Sequence, residues 1–388
     1  MNKLNPKKNI YYWSPFLVPI ATPKAVVNSA KSLKNYGKNY ECSIINFFGE
    51  FNSFENVLKN KNIKLINCFN KRLLNVLPKY GKLKSRFSFI IVFILSFFPL
   101  KGLISKQKPD FLIIHLITSL PLILLIFFKF ETKFILRISG LPKLGILRKF
   151  LWKKALPKIY MITCPTKSTA NYIESLGIVD KEKIKTLYDP IIEINKINLQ
   201  KKQNIKLPFK GEKYFFAAGR LTKQKNFETL IKAFSLFVNK YDNYKLLILG
   251  EGNKKKKLIN LATKLNIKKK VIFKNFVKDP SKIFIKSKIY VCSSLYEGLP
   301  SSLIESLNTF TPVISTNCLS GPSQILRNGN YGYLYPIKNY LRLSKLMEYV
   351  VNNYHDAKQK TINGQKSLSQ YDVKDISMKY LKEINSLF

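Results

Sequence analysis

Short strand-like runs recur along this chain, and segments with helical spacing separate them. In the first half, residues 9–13, 42–47, 63–68, 110–115, 133–138, 160–165 and 185–187 read as strands. Helical periodicity fills residues 24–33, 87–100 and 120–128, and residues 147–154 form a basic amphipathic segment. Strands separated by helices are joined in parallel. The pattern predicts a doubly wound α/β sheet. It then starts again. After a polar, Pro-punctuated stretch at 189–210, strands are expected at 214–218, 245–249, 271–273, 289–292 and 312–315, with helices at 227–238, 254–265 and 373–387. A chain of 388 residues is long enough to bury two such cores.

Residues 293–306, SSLYEGLPSSLIES, concentrate the chemistry. A strand ends before them, Gly298 and Pro300 mark a tight loop, and Ser301 and Ser302 open a helix on which a capping hydroxyl is expected. The unpaired N–H groups at such a helix start, at the carboxyl end of a strand, form an anion site. Glu297 in the loop and Glu305 on the helix would repel an anion. They suit hydroxyl-rich groups attached to a phosphate, such as a ribose and a sugar.

Glu297, seven intervening residues and Glu305 resemble the E-x7-E element of the retaining, nucleotide-sugar-dependent glycosyltransferases of family 4, which have the GT-B fold. The neighbouring stretches YFFAAGRLTKQKN (214–226), TPVIS (311–315) and SGPSQIL (320–326) extend the resemblance over residues 214–334, and the first half resembles the family more loosely. The resemblance implies an α/β protein of two Rossmann-like doubly wound domains facing a cleft. Residues 1–200 would form the acceptor and membrane-facing domain and 201–372 the nucleotide-sugar domain, with a C-terminal helix at 373–388 packing back on the first. It implies an enzyme of the type that builds bacterial surface polysaccharide, including lipopolysaccharide. Such an enzyme moves a hexosyl or N-acetylhexosaminyl group from a nucleotide-diphosphate sugar, by family weight a UDP-sugar, to a lipid-linked or oligosaccharide acceptor.

The family's site residues carry over onto matching positions. Arg220 and Lys225, after Gly219, would grip the diphosphate, where preorganised cations stabilise the charge that grows on the leaving group. Gly250, Gly252, Val277, Gly298, Leu299, Ser301 and Ser302 would line the nucleotide-sugar site. Glu305 would hold the ribose, Glu297 the transferred sugar, and His115 would lie near the donor sugar. Both double displacement with Glu297 as nucleophile and leaving-group-assisted attack on the same face remain open. The chain contains no D-x-D, which implies no metal and no cofactor beyond the nucleotide sugar as co-substrate. Two departures stand out. The first loop, SPFLVPIATP at 14–23, lacks the glycines common in the family, and Gln324 stands where relatives often carry Glu.

The net charge of +45 is unevenly placed. Residues 56–109 contain 12 Lys or Arg and no acid, and residues 132–173 contain nine and none. The first gap encloses FSFIIVFILSFFPL at 87–100, a helix of about 21 Å, short of the ~30 Å hydrocarbon core. A short apolar segment with basic flanks reads as lying in a membrane interface, with a buried core helix as the alternative. Phe93, Leu95 and Phe97 are the residues expected to face lipid. Residues 111–128 are uncharged, yet they divide naturally into a strand and a helix at His115, Ser119 and Pro121. The apolar run at 87–100 has no stacking aromatics set among basic residues, and no nucleic-acid-binding motif appears, so no nucleic-acid partner is expected. The five cysteines, Cys42, Cys68, Cys164, Cys292 and Cys318, show no metal-ligand spacing and read as reduced thiols. Without an export signal at the start, the expected place is the cytoplasm, peripheral on the inner face of the cell membrane. The competing readings are a GT-B enzyme with a soluble acceptor, a nucleotide-sugar epimerase, and a basic nucleic-acid-binding protein. Release of nucleoside diphosphate, with and without a lipid-linked acceptor, separates the enzymes.

Overall fold

The computed structural model describes residues 7–17, 21–37, 39–69, 77, 78, 82–142, 144–190, 193, 194, 213–275, 277 and 279–386. Most of the expected linker at 189–210 lies outside them. The chain divides into two units, Met1–Ile191 with Val373–Phe388, and Ile192–Asp372.

The first unit holds seven strands: β1 Lys8–Trp13, β2 Tyr40–Ile45, β3 Lys64–Ile66, β4 Phe111–Ile114, β5 Lys133–Arg137, β6 Met161–Cys164 and β7 Ile184–Thr186. All pair in parallel, in the order β3-β2-β1-β4-β5-β6-β7. The order reverses between β1 and β4, which are in register from Ile10 and Phe111 to Trp13 and Ile114. That reversal opens a crevice beyond the strands' carboxyl ends. Every residue of β4 is buried, because helices cover both faces of the sheet. On one face, Trp13, Leu112, Ile114, Phe134, Leu136 and Ile162 pack under the helices Lys82–Gln107, Ser119–Phe127, Ile146–Ala155 and Lys167–Glu174. On the other, Ile10, Tyr12, Ile113 and Ile135 pack under Ala21–Tyr36 and the last helix, Val373–Asn385, through Tyr380, Leu381 and Ile384. That last helix lies against Ala21–Tyr36. A Lys185–Glu383 ion pair at 3.2 Å and a hydrogen bond from the Tyr40 hydroxyl to Asn385 tie it down.

The second unit holds β8 Lys213–Ala218, β9 Tyr244–Leu249, β10 Val271–Lys274, β11 Ile289–Cys292, β12 Val313–Thr316 and β13 Tyr333–Tyr335. They form a parallel sheet in the order β10-β9-β8-β11-β12-β13, reversing between β8 and β11. Strand β13 and the helices Tyr340–Asn352 and Tyr354–Lys366 are additions to the sequence reading. Tyr333 and Leu334 are only half-buried, so β13 has no apolar run to betray it.

Two expectations need correction. The apolar helix is not confined to 87–100. It runs from Lys82 to Gln107, 26 residues with Pro99 inside, or about 39 Å. Charge did not end it. Lys101 continues the helix with its ammonium 4.0 Å from the centre of the Phe128 ring, where a cation is stabilised. The outward face was also misassigned at two of its three positions. Phe93 and Phe97 pack against the first unit's core, whereas Leu95 is exposed, as are Phe87, Phe89, Ile90, Ile94 and Phe98.

Candidate active site

The reversal between β8 and β11 places two loops side by side. Residues 219–226 leave β8 and enter the helix Phe227–Val238, and residues 293–300 leave β11 and enter the helix Ser301–Asn308. Hydrogen bonds lace the loops together. The Leu295 amide donates to the Gln224 carbonyl at 2.8 Å, the Gln224 side-chain amide to the Tyr296 carbonyl at 3.1 Å, and the Ser293 hydroxyl to the Lys225 carbonyl at 2.7 Å. Arg220 is exposed at the rim and donates to the Gln224 side-chain oxygen at 3.2 Å. Gln224 and Ser293 carry this lacing, and nothing in their local sequence announces it.

At the centre, Lys225 Nζ lies 2.5 Å from Glu297 Oε1, with side chains 20% and 9% exposed. The Ser294 hydroxyl donates to the same oxygen at 2.5 Å. Burial works against the Lys225 ammonium, but the Glu297 carboxylate outweighs it and raises the pKa above the usual lysine value. Glu297 Oε2 takes no bond among the described residues, so it is the oxygen left for a ligand hydroxyl. Gly219 makes this geometry possible. A Cβ there would come within 2.9 Å of the Lys225 stem.

Gly250 and Gly252, expected to keep a loop close to the nucleotide, hold that loop against the one after β8. With φ of +147°, Gly250 sits where an added Cβ would overlap the Gly219 carbonyl oxygen, and one on Gly252 would meet the Leu221 oxygen at 2.5 Å. They let the loop after β9 lie against the loop after β8, where Leu221 and Glu251 share a backbone hydrogen bond of 2.8 Å. Gly298 is met in the same way by Gly321, whose Cβ would overlap the Gly298 oxygen.

The helix start also differs from expectation. The residue at the cap is Pro300, which has no polar side chain, and no side-chain hydrogen bond caps this helix. Ser301 and Ser302 are its first two residues, so their N–H groups are not taken by a capping hydroxyl. Ser302 hydrogen-bonds the buried phenol of Tyr290 on β11, and both Glu297 and Glu305 act on that phenol electrostatically. Burial first, and these carboxylates with it, hold the Tyr290 pKa well above the ordinary tyrosine value. Glu305 is half-buried on the helix, and Leu299 and Val277 are half-buried on the loops after β11 and β10. Val277 shares no described contact with the Lys225–Glu297 pair.

In the first unit, His115 lies just past β4, its amide donating to the Trp13 carbonyl at 2.9 Å. The side chain is 7% exposed, with its ring 6.2 Å from that of Tyr12. Burial lowers its pKa to about 4; Asp189 opposes the shift and Arg137 reinforces it. The imidazole is therefore neutral at ordinary pH. Arg137 is itself buried at the end of β5. It pairs with Asp189 at 2.7 Å and donates to the Leu187 carbonyl at 2.7 Å. Neither partner stands out in the sequence, because the pair spans three strands' connections. Among the described residues, no three His, Cys, Asp or Glu side chains gather as a metal would need.

The profile of the family described as "Glycosyl transferases group 1" matches residues 199–367. An uncharacterized glycosyltransferase of Methanocaldococcus jannaschii is 34% identical over 312 residues, covering 76% of this chain and 73% of the relative. This chain belongs to the group 1 glycosyltransferases. A second relative of this glycosyltransferase, 27% identical, covers 93% of it and 94% of its own length. It is the Campylobacter jejuni GalNAc-alpha-(1->4)-GalNAc-alpha-(1->3)-diNAcBac-PP-undecaprenol alpha-1,4-N-acetyl-D-galactosaminyltransferase. Among solved structures, TarM matches with a TM-score of 0.76 at 16% identity, covering 99% of this chain and 100% of TarM. Anabaena HepE in complex with UDP matches with a TM-score of 0.73 at 14% identity, covering 98% and 100%. The glycosyltransferase thus has the GT-B fold.

Proposed function

We propose that this glycosyltransferase is a retaining enzyme of family 4. In this reading it moves a hexosyl or N-acetylhexosaminyl group from a UDP-sugar to a lipid-linked saccharide during assembly of a cell-surface polysaccharide. The observation that carries the reading is the Lys225–Glu297 pair at the junction of the two laced loops. It puts a cation for a leaving diphosphate and a carboxylate for sugar hydroxyls within one hydrogen bond of each other. The relatives support the substrate classes. One is named for an undecaprenol-linked acceptor, and HepE was crystallised with UDP and with UDP-glucose.

The roles follow from the chemistry of each group. As the bond from the anomeric carbon to the diphosphate breaks, negative charge grows on the leaving phosphate. Lys225 keeps two N–H donors beyond the one it gives Glu297, and Arg220 supplies a planar fork; both stabilise that charge. The uncapped N–H groups of Ser301 and Ser302 add the positive end of a helix dipole. Glu297 Oε2 accepts from hydroxyls of the transferred sugar, and Glu305 accepts from the ribose. His115, neutral through burial, would hydrogen-bond a sugar hydroxyl without bringing charge to an oxocarbenium-like transition state. Reaction from the face the leaving group occupied would retain the anomeric configuration.

The test is incubation with a panel of nucleotide sugars and a polyprenyl-diphosphate-linked sugar, followed by mass analysis of the lipid and NMR assignment of the new anomeric centre. A lipid product one sugar heavier with the donor's configuration is expected. An inverted linkage overturns retention. Transfer only to soluble saccharides overturns the lipid acceptor.

A further inference from the structure

We propose that the first unit docks on an anionic lipid bilayer through the outer surface of three adjacent helices, Lys82–Gln107, Ser119–Phe127 and Ile146–Ala155. The middle helix packs against both of the others, so the three form one layer over the sheet.

The first helix has two faces. Val92, Leu100 and Ile104 are at most 1% exposed in the first unit's core, and Ser88 and Ser96 are buried on the same stripe. Opposite them, Phe87, Ile94 and Phe98 are 60, 62 and 75% exposed. Phe127 at the end of the middle helix and Leu147 and Phe150 on the third are exposed as well. The Phe98 end of the first helix meets the end of the middle one, since the Phe97 ring lies 5.3 Å from that of Phe98 and 6.5 Å from that of Phe128. Large apolar side chains exposed on neighbouring helices mark a surface that something covers.

Charge identifies the occupant. The first helix carries five Lys or Arg, the third carries four, and none of the three helices carries an acid. Exposed aromatic and aliphatic side chains on helices that carry cations and no carboxylate complement anionic headgroups above acyl chains. A second copy of this chain would present the same positive charge and repel.

Helix geometry sets the attitude on the membrane. By length and composition residues 86–107 could cross a bilayer. Leaving the sheet to do so would uncover Val92, Leu100 and Ile104 and the core beneath them, so the helix lies along the interface. At about 39 Å it is far longer than the four-residue β4, about 13 Å, into which it feeds through residues 108–110. The excess length therefore projects past the carboxyl ends of the strands. Phe87 lies in that projecting part, at the end of the sheet where His115 and Arg137 close their strands and where a lipid-linked acceptor would be received.

Sedimentation of the full chain with vesicles tests this. Vesicle binding is measured without donor or acceptor, so a negative result leaves the transfer reaction untouched. Wild type should pellet with phosphatidylglycerol-containing vesicles, bind pure phosphatidylcholine about tenfold less, and be only partly released by high salt. Phe87→Ser, Ile94→Ser and Phe98→Ser together should lower the salt-resistant fraction about tenfold or more with circular dichroism unchanged, since all three are exposed. Arg148→Glu with Lys149→Glu should weaken binding at low salt and leave the salt-resistant fraction in place. Any of three results overturns the proposal. One is wild type that ignores both vesicle types. Another is a triple variant that binds as wild type does. The third is a wild-type protein that alkaline carbonate fails to strip from membranes, the mark of a crossing helix.

Discussion

Glu297→Gln keeps the shape of the side chain and removes the charge that faces Lys225 at 2.5 Å. Breaking a wholly buried ion pair costs about 3–5 kcal/mol, because the partner is left charged in a low dielectric. With Lys225 20% exposed, water recovers part of that, and the expected loss of stability is about 2–3 kcal/mol. Lys225→Met should cost a similar amount, and the double variant much less than the sum. The resulting coupling is about 2 kcal/mol. Its pH dependence follows from the direction of the Lys225 shift. Burial lowers the pKa, Glu297 raises it further than that, and the folded value ends above the ordinary one. A raised lysine pKa contributes stability that is complete below the unfolded value near ~10.4 and is lost only as pH climbs through the folded value. The coupling should therefore stay constant from about pH 7 to 9. Urea unfolding by far-UV circular dichroism gives the four free energies of the cycle. Tryptophan emission comes only from Trp13 and Trp152 in the first unit, and serves as the internal control. A coupling below about 0.5 kcal/mol would mean that the pair does not organise the two loops.

Three further outcomes are expected. Arg220→Ala should cut turnover about a hundredfold by removing ~3 kcal/mol of stabilisation at the leaving phosphate, whereas Glu305→Gln should raise the donor KM with kcat nearly kept; steady-state kinetics with varied donor separates the two. Gly250→Ala should destabilise the second unit by about 3 kcal/mol, since the new Cβ has both a disfavoured φ and the Gly219 carbonyl oxygen against it, and an unchanged urea midpoint would contradict this. His115 has its pKa lowered to about 4, so the unfolded chain binds this proton more readily and stability should fall as pH drops from the ordinary histidine value toward 4. His115→Asn should remove up to ~3 kcal/mol of that acid sensitivity, read as the difference in urea stability between pH 7 and pH 4.

Much of the fold could be read without coordinates. Strands such as Phe111–Ile114 and Ile289–Cys292 are buried on both faces, and that burial forces an uninterrupted apolar run that is visible in the sequence. The helix Phe227–Val238 showed the same bounds in sequence as in structure, because one of its faces must meet β8 and β9. Short elements with mixed burial, such as Tyr333–Tyr335, leave no such trace. The Glu297 and Glu305 spacing was legible because a loop and the helix it feeds are contiguous. The Lys225–Glu297 bond was not, since it joins residues 72 apart.

The amino-acid sequence by itself determined two parallel α/β units, the order of their elements and the identity of the charged groups, because local burial and chain connectivity dictate these. Tertiary structure alone decided which groups meet. It set Lys225 on Glu297, spent Gly250 on a loop-to-loop contact, and left the helix that opens at Ser301 without a side-chain cap. It also turned Phe93 and Phe97 inward while leaving Phe87, Ile94 and Phe98 outside. On a helix that is apolar all round, periodicity cannot say which side the sheet will cover; only the packing of the core against it can.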